Sequence, residues 1–133
     1  MKKLMIICIL FGLITVMLVA CGGSSGDSSN NINTHTNNTV SVHMNASDFV
    51  QNTVTLKKGD SINLLDDVAG VHVVENGTYE GATIKHVAEN GAPSVDVQFN
   101  GNDSHVIGPF PTAGNFHYYC TVHLDMNLTV TVQ

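Results

Sequence analysis

Residues 114–133 read GNFHYYCTVHLDMNLTVTVQ. Phe116, Tyr118 and Cys120 alternate with Asn115, His117 and Tyr119, and Leu128, Val130 and Val132 alternate with Thr129, Thr131 and Gln133. Period-two alternation is the signature of a half-buried strand, so two strands flank a short turn over Thr121–Asn127. By parity Cys120 faces inward with Phe116 and Tyr118, while His117 and Tyr119 face outward. The thiol therefore stands where a core strand enters the turn, and His123 and Met126 can fold back around it. Strands gripping both ends of such a loop hold its side chains rigidly.

The same period runs backward through the chain. Val40, Val42 and Met44 alternate with polar residues, as do Val54 with Leu56, Ile62 with Leu64, and Val95, Val97 and Phe99. Gly, Asn and Asp turns bound these runs. Six or more short strands in about 95 residues, without a helical stripe, predict an all-β sandwich or barrel. Residues 66–93 are less regular and are expected to add one or two short strands. The domain is assigned to residues 39–133.

Residues 1–20 are set apart from that domain. Lys2 and Lys3 precede an apolar run over Leu4–Ala20, broken by Gly12 and Thr15, that ends in Leu18-Val19-Ala20-Cys21. This reads as an export signal. It resembles a bacterial lipobox, which implies cleavage before Cys21 and lipidation of that side chain. An uncleaved anchor is the alternative, although 17 residues fall short of the roughly 20 that span a bilayer. Either way the domain is expected outside the cytoplasm, and the lipobox resemblance implies that it is tied to the membrane through Cys21. From 22 to 38 the chain reads GGSSGDSSNNINTHTNN. Such a tract buries too little apolar surface to order itself and is expected to be a flexible tether, with an r.m.s. reach of roughly 20–25 Å.

Past residue 20 the chain has three lysines, no arginine and eleven acidic residues, a net charge of −8. Nucleic-acid binding needs a basic face and is excluded. Of the three cysteines, Cys8 leaves with the signal and Cys21 takes the lipid, so Cys120 remains without a partner. In an oxidising compartment a leftover cysteine points to a reactive thiol, an intermolecular bond or a ligand. A buried cysteine acting as a small apolar residue is the plainer reading, and the neighbours of Cys120 argue against it. A thiolate, an imidazole and a thioether at C-x2-H-x2-M supply three of the four ligands of a blue-copper site, which takes two His, one Cys and a weak axial Met.

The run Gly-x-aromatic-x-aromatic-Tyr-Cys, then His123 and Met126, then an apolar closing strand, resembles the ligand loop of the cupredoxins, with plastocyanin- and amicyanin-like spacing. The resemblance implies a Greek-key sandwich of about seven to eight strands and one Cu(I)/Cu(II) ion held by His72, Cys120, His123 and Met126. The earlier histidine ligand is expected in a loop after a strand, where His72 follows the Asp66-Asp67 turn; His105 is the second choice. His117 is disfavoured by parity, and His43 and His86 by exposed surroundings. Val73 stands where such proteins often carry Asn, and Asp125 where they carry a small or apolar residue. The implied function is single-electron transport between transient redox protein partners, by a monomer that is not an enzyme. All ligand positions are filled, and one cysteine cannot build a dinuclear centre. His123 is expected to be the electron port, with outward-facing Tyr119 as a second route or an ordinary surface tyrosine. Copper delivery or storage is the alternative function, and a metal-free binding module is the third.

Overall fold

The computed structural model describes residues 36–133. The export signal, Cys21 and the tether as far as residue 35 lie outside the described residues, among which there is no helix. The strands are β1 (Thr39–Met44), β2 (Thr53–Leu56), β3 (Ser61–Asp66), β4 (His72–Asn76), β5 (Thr78–Glu80), β6 (Thr83–Lys85), β7 (Asp96–Phe99), β8 (Ser104–Ile107), β9 (Gly114–Cys120) and β10 (Asn127–Val132).

Eight of them form two sheets, ordered β1-β3-β8 and β2-β10-β9-β4-β7. These sheets account for the expected seven to eight strands, and the hairpin β5-β6 brings the total to ten. β1 runs parallel to β3 and β2 parallel to β10, while β9 is antiparallel to both β10 and β4. The alternation read from the sequence is the alternation of burial. Val42, Met44, Ile62, Leu64 and Ile107 from one sheet meet Leu56, Val74, Phe99, Phe116, Tyr118, Leu128 and Val130 from the other. Each fully buried side chain of this size contributes about 1.5–3 kcal/mol of transfer free energy.

Register fixes what gathers at each end. Parallel pairing of β1 with β3 puts Met44 beside Asp66, and antiparallel pairing puts Val74 beside Cys120 and His72 beside Phe99. Four loops therefore share one end: 45–52, 67–71, 100–103 and 121–126. The turn at 57–60 and both ends of the described chain lie at the other.

Three local expectations change. β8 is a strand that its sequence does not announce, because only Ile107 of its four residues is buried. Asp66, read as part of a turn, is the last residue of β3 and continues the inward series Ile62, Leu64, Asp66. His72 opens β4 rather than standing in the preceding loop.

Candidate metal centre

Two backbone hydrogen bonds shape the 121–126 loop: Cys120 N–H donates to the Met126 carbonyl (3.0 Å) and Met126 N–H to the His123 carbonyl (3.4 Å). Asp125 closes the turn at φ 64°. Asp and Asn tolerate that left-handed conformation better than other non-glycine residues, which gives its carboxylate a backbone reason to be there. Thr121 N–H donates to the Val73 carbonyl at 2.8 Å. The loop is thus braced through the main chain at the position where an Asn side chain is absent.

This folding brings together residues 48 positions apart. Cys120 Sγ lies 3.7 Å from His72 Nδ1 and 3.6 Å from His123 Nδ1. The rings of His72 and His123 are 4.6 Å apart, inclined at 46°. His72 and Cys120 are fully buried, and His123 is half-buried. Cys120 is the free cysteine of the described residues. Met126 is also buried and stands on the same loop.

The spacing suits a metal ion. With bonds of about 2.3 Å to sulfur and about 2.0 Å to nitrogen, tetrahedrally arranged donors lie roughly 3.5 Å apart. The ligand atoms of His72, Cys120 and His123 all fall within 4.8 Å of one another. One sulfur and two imidazole nitrogens, all metal-ligand atoms, thus converge on one point. Burial, with the adjacent His123, lowers the pKa of His72 against the opposing influence of Asp66 and the Asn45 backbone. The neutral imidazole favoured by that burial is the form a metal requires.

The other described histidines stand elsewhere. His43 bonds Asp67 (2.7 Å), His117 bonds Glu89 (2.5 Å), and His105 lies exposed on β8 with its ring against Phe99. Tyr119 corrects an expectation. It is on the outer face of β9, as parity requires, yet it is fully buried because β5-β6 covers it. Its hydroxyl is 3.1 Å from both Glu75 Oε2 and His86 Nδ1, and Tyr79 packs edge-on at 5.4 Å. Burial, then the Glu75 carboxylate, pushes its pKa up to about 12. Gly77 permits this cover: at φ 133° a side chain there would run into the Lys85 carbonyl and meet the Tyr119 ring at 3.1 Å. Asn127 ties the hairpin to the ligand loop by bonding both Tyr79 N–H (2.7 Å) and the Tyr79 carbonyl (3.2 Å).

Around the centre, Val71, Val122 and Leu124 are exposed apolar residues that neighbour His72 and His123 in the chain. Asp48, Asp67, Asp103 and Asp125 lie in the surrounding loops. Among the described residues, Lys57 and Lys58 belong to the opposite end, and Lys85 pairs with Glu80 at 3.4 Å.

Asp66 was passed over in the sequence as a turn residue. It is 3% exposed, and its Oδ1 lies 3.8 Å from His72 Nε2. Its inward parity on β3 was the available signal.

No protein-family model matches this chain, and no curated protein matches it in sequence. Solved structures do. The crystal structure of amicyanin from Paracoccus versutus (Thiobacillus versutus) is 20% identical, with a TM-score of 0.54 over 71% of this chain and 81% of that one. A reduced Cu(I) form of an amicyanin variant at pH 4 is 19% identical, with a TM-score of 0.55 over 71% and 82%. A second variant in the Cu(I) state is 18% identical at the same TM-score and coverage. The described domain has the cupredoxin fold.

Proposed function

We propose that this protein is a mononuclear type 1 copper protein that carries single electrons between redox partners at the outer face of the membrane, anchored by a lipid on Cys21. The observation that carries this reading is the convergence of two imidazole Nδ1 atoms on one buried, unpaired thiol. His72, Cys120 and His123 would hold the copper with Met126 as the weak fourth ligand, and copper supplies one-electron exchange at that position. The solved structures sharing this fold include amicyanin in Cu(I) form.

The chain's own residues account for the rest. Braces from Val73 and Met126 hold the donors in one arrangement, which limits the rearrangement accompanying each electron. Four protein ligands leave no position for a substrate, so the protein is a carrier rather than an enzyme. His123, half-buried between exposed Val122 and Leu124, is the port. The acidic loops around it suit a partner with a basic rim, since complementary charge speeds encounter more than it strengthens the complex. Such encounters typically bury less than about 1,200 Å².

Copper delivery or storage would favour donors open to an exchanging partner, and burial of His72 and Cys120 argues against it. Redox cycling separates the two readings. The copper-loaded full-length protein is reduced with ascorbate and reoxidised with ferricyanide in the presence of a Cu(I) chelator. A carrier retains its copper through repeated cycles. Loss of the metal to the chelator on the first reduction would establish delivery instead.

A further inference from the structure

The copper reading leaves one neighbour of the site without a role, the carboxylate behind His72. We infer that Asp66 is the positioning residue of His72: it accepts the Nε2–H, turns Nδ1 toward Cys120, and keeps a buried negative charge beside the centre. This rests on the copper reading for its redox consequence, and on the protein alone for its geometry.

Three observations carry it. First, Asp66 occupies a core-facing position at the end of β3, where the series Ile62, Leu64 calls for an apolar residue, and its side chain has no exposure. A buried carboxylate without compensation is costly, so this one is retained against its own desolvation. Second, Oδ1 accepts Val68 N–H at 3.2 Å, whereas Oδ2 has no partner and neither does His72 Nε2. Oδ1, which keeps a further lone pair beside its bond to Val68, lies 3.8 Å from the unpartnered Nε2. A closure of about 1 Å brings Oδ1 and Nε2 to the 2.7–3.2 Å of a hydrogen bond and satisfies the ring nitrogen. Third, the tautomer follows. A lone pair on Nε2 would point at the Asp66 carboxylate, so the proton belongs on Nε2 and the lone pair on Nδ1, facing Sγ. The bond made by one ring nitrogen sets the role of the other.

A carboxylate behind a ligating imidazole raises that ligand's basicity. Its charge also favours the more highly charged metal state, because opposite charges attract strongly where water is excluded. Asp66 therefore holds the potential down. Its neighbour Asp67 is a built-in control: it carries the same charge, but it is about half exposed and engaged with His43.

The test compares full-length wild type, Asp66→Asn, Asp66→Glu and Asp67→Asn, with potentials measured on the copper-loaded proteins and ¹⁵N NMR of the imidazoles on the metal-free ones. Asp66→Asn is expected to raise the ratio of Cu(I) to Cu(II) affinity at least tenfold, a rise of about 59 mV for one electron. Asp67→Asn and the charge-preserving Asp66→Glu are expected to change it less than threefold. In the metal-free wild type, His72 is expected to carry its proton on Nε2, and Asp66→Asn to weaken its protection from exchange at least tenfold. Equal shifts in Asp66→Asn and Asp67→Asn, or an Nδ1-protonated His72, would overturn the inference. Should Asp66→Asn not fold, a tenfold shift in Asp66→Glu would do the same. If the wild type takes up no copper, the copper reading fails while the NMR result still decides the positioning.

Discussion

Two aspartates bracket β3, equally buried and chemically identical, and the molecule uses them differently. Asp60, 4% exposed, precedes the strand at the end away from the ligands. Its Oδ1 accepts Asn38 N–H at 2.9 Å and its Oδ2 accepts Lys57 N–H at 3.0 Å. Both oxygens secure backbone, so this carboxylate holds a turn together. Asp66, 3% exposed, ends the strand at the other end, with Oδ1 both bonded to Val68 N–H and 3.8 Å from His72 Nε2, and with Oδ2 unpartnered. Burial alone does not separate a structural charge from a functional one; what each oxygen bonds does.

The same substitution at both positions tests that comparison. Asp60→Asn replaces one acceptor with a donor facing a backbone N–H, and is expected to cost about 2–3 kcal/mol in urea unfolding of the metal-free protein. Its copper spectrum should be unchanged. A cost below about 0.5 kcal/mol would mean that the turn does not depend on its carboxylate.

Tyr119 sharpens the contrast as a third buried polar group, satisfied on two sides like Asp60. Tyr119→Phe should cost about 1 kcal/mol by loss of the hydroxyl's bonds to Glu75 and His86. The pH dependence has a definite sign. The folded pKa is raised to about 12, above the value of about 10 in an unfolded chain. The contribution of Tyr119 is therefore complete below pH 10 and is lost as pH rises toward 12. Tyr118 and Tyr79 are raised as well, both first by burial. Urea midpoints measured from pH 9 to 12 should fall in the wild type and fall less steeply in Tyr119→Phe. Equal slopes would show that Tyr119 is not a contributor.

The smallest stability change is expected at Asp66. Asn keeps a carbonyl oxygen that can accept from both Val68 N–H and His72 Nε2–H, so Asp66→Asn should alter the stability of the metal-free protein by less than about 1 kcal/mol. A loss as large as that of Asp60→Asn would make the two carboxylates equivalent and dissolve the distinction.

The sequence disclosed most where side chains repeat with a period and least where they do not. β1, β3 and β10 bury alternate residues over six positions, and β9 does so as far as Tyr118, which leaves a pattern that can be read. β5 and β6 are three residues each, with one buried residue between them, and β8 buries only Ile107. No period can show in such segments. The cover that this hairpin lays over Tyr119 was not legible either, since parity gives the face of a sheet and not what covers it. The nearness of Cys120 and His123 was legible because one short loop carries both. His72 needed long-range register to join them, and Asp66 was hidden because an aspartate beside another aspartate reads as a turn until its parity is followed.

The central claim is that His72, Cys120 and His123, with Met126, make a copper site in which the thiolate is bound directly. The most direct measurement is the visible absorption spectrum of the full-length protein with one equivalent of Cu(II), beside Cys120→Ser. An intense thiolate-to-copper band in the wild type, absent from the variant, is the result predicted. Copper held without that band, or a band that persists in Cys120→Ser, would contradict it.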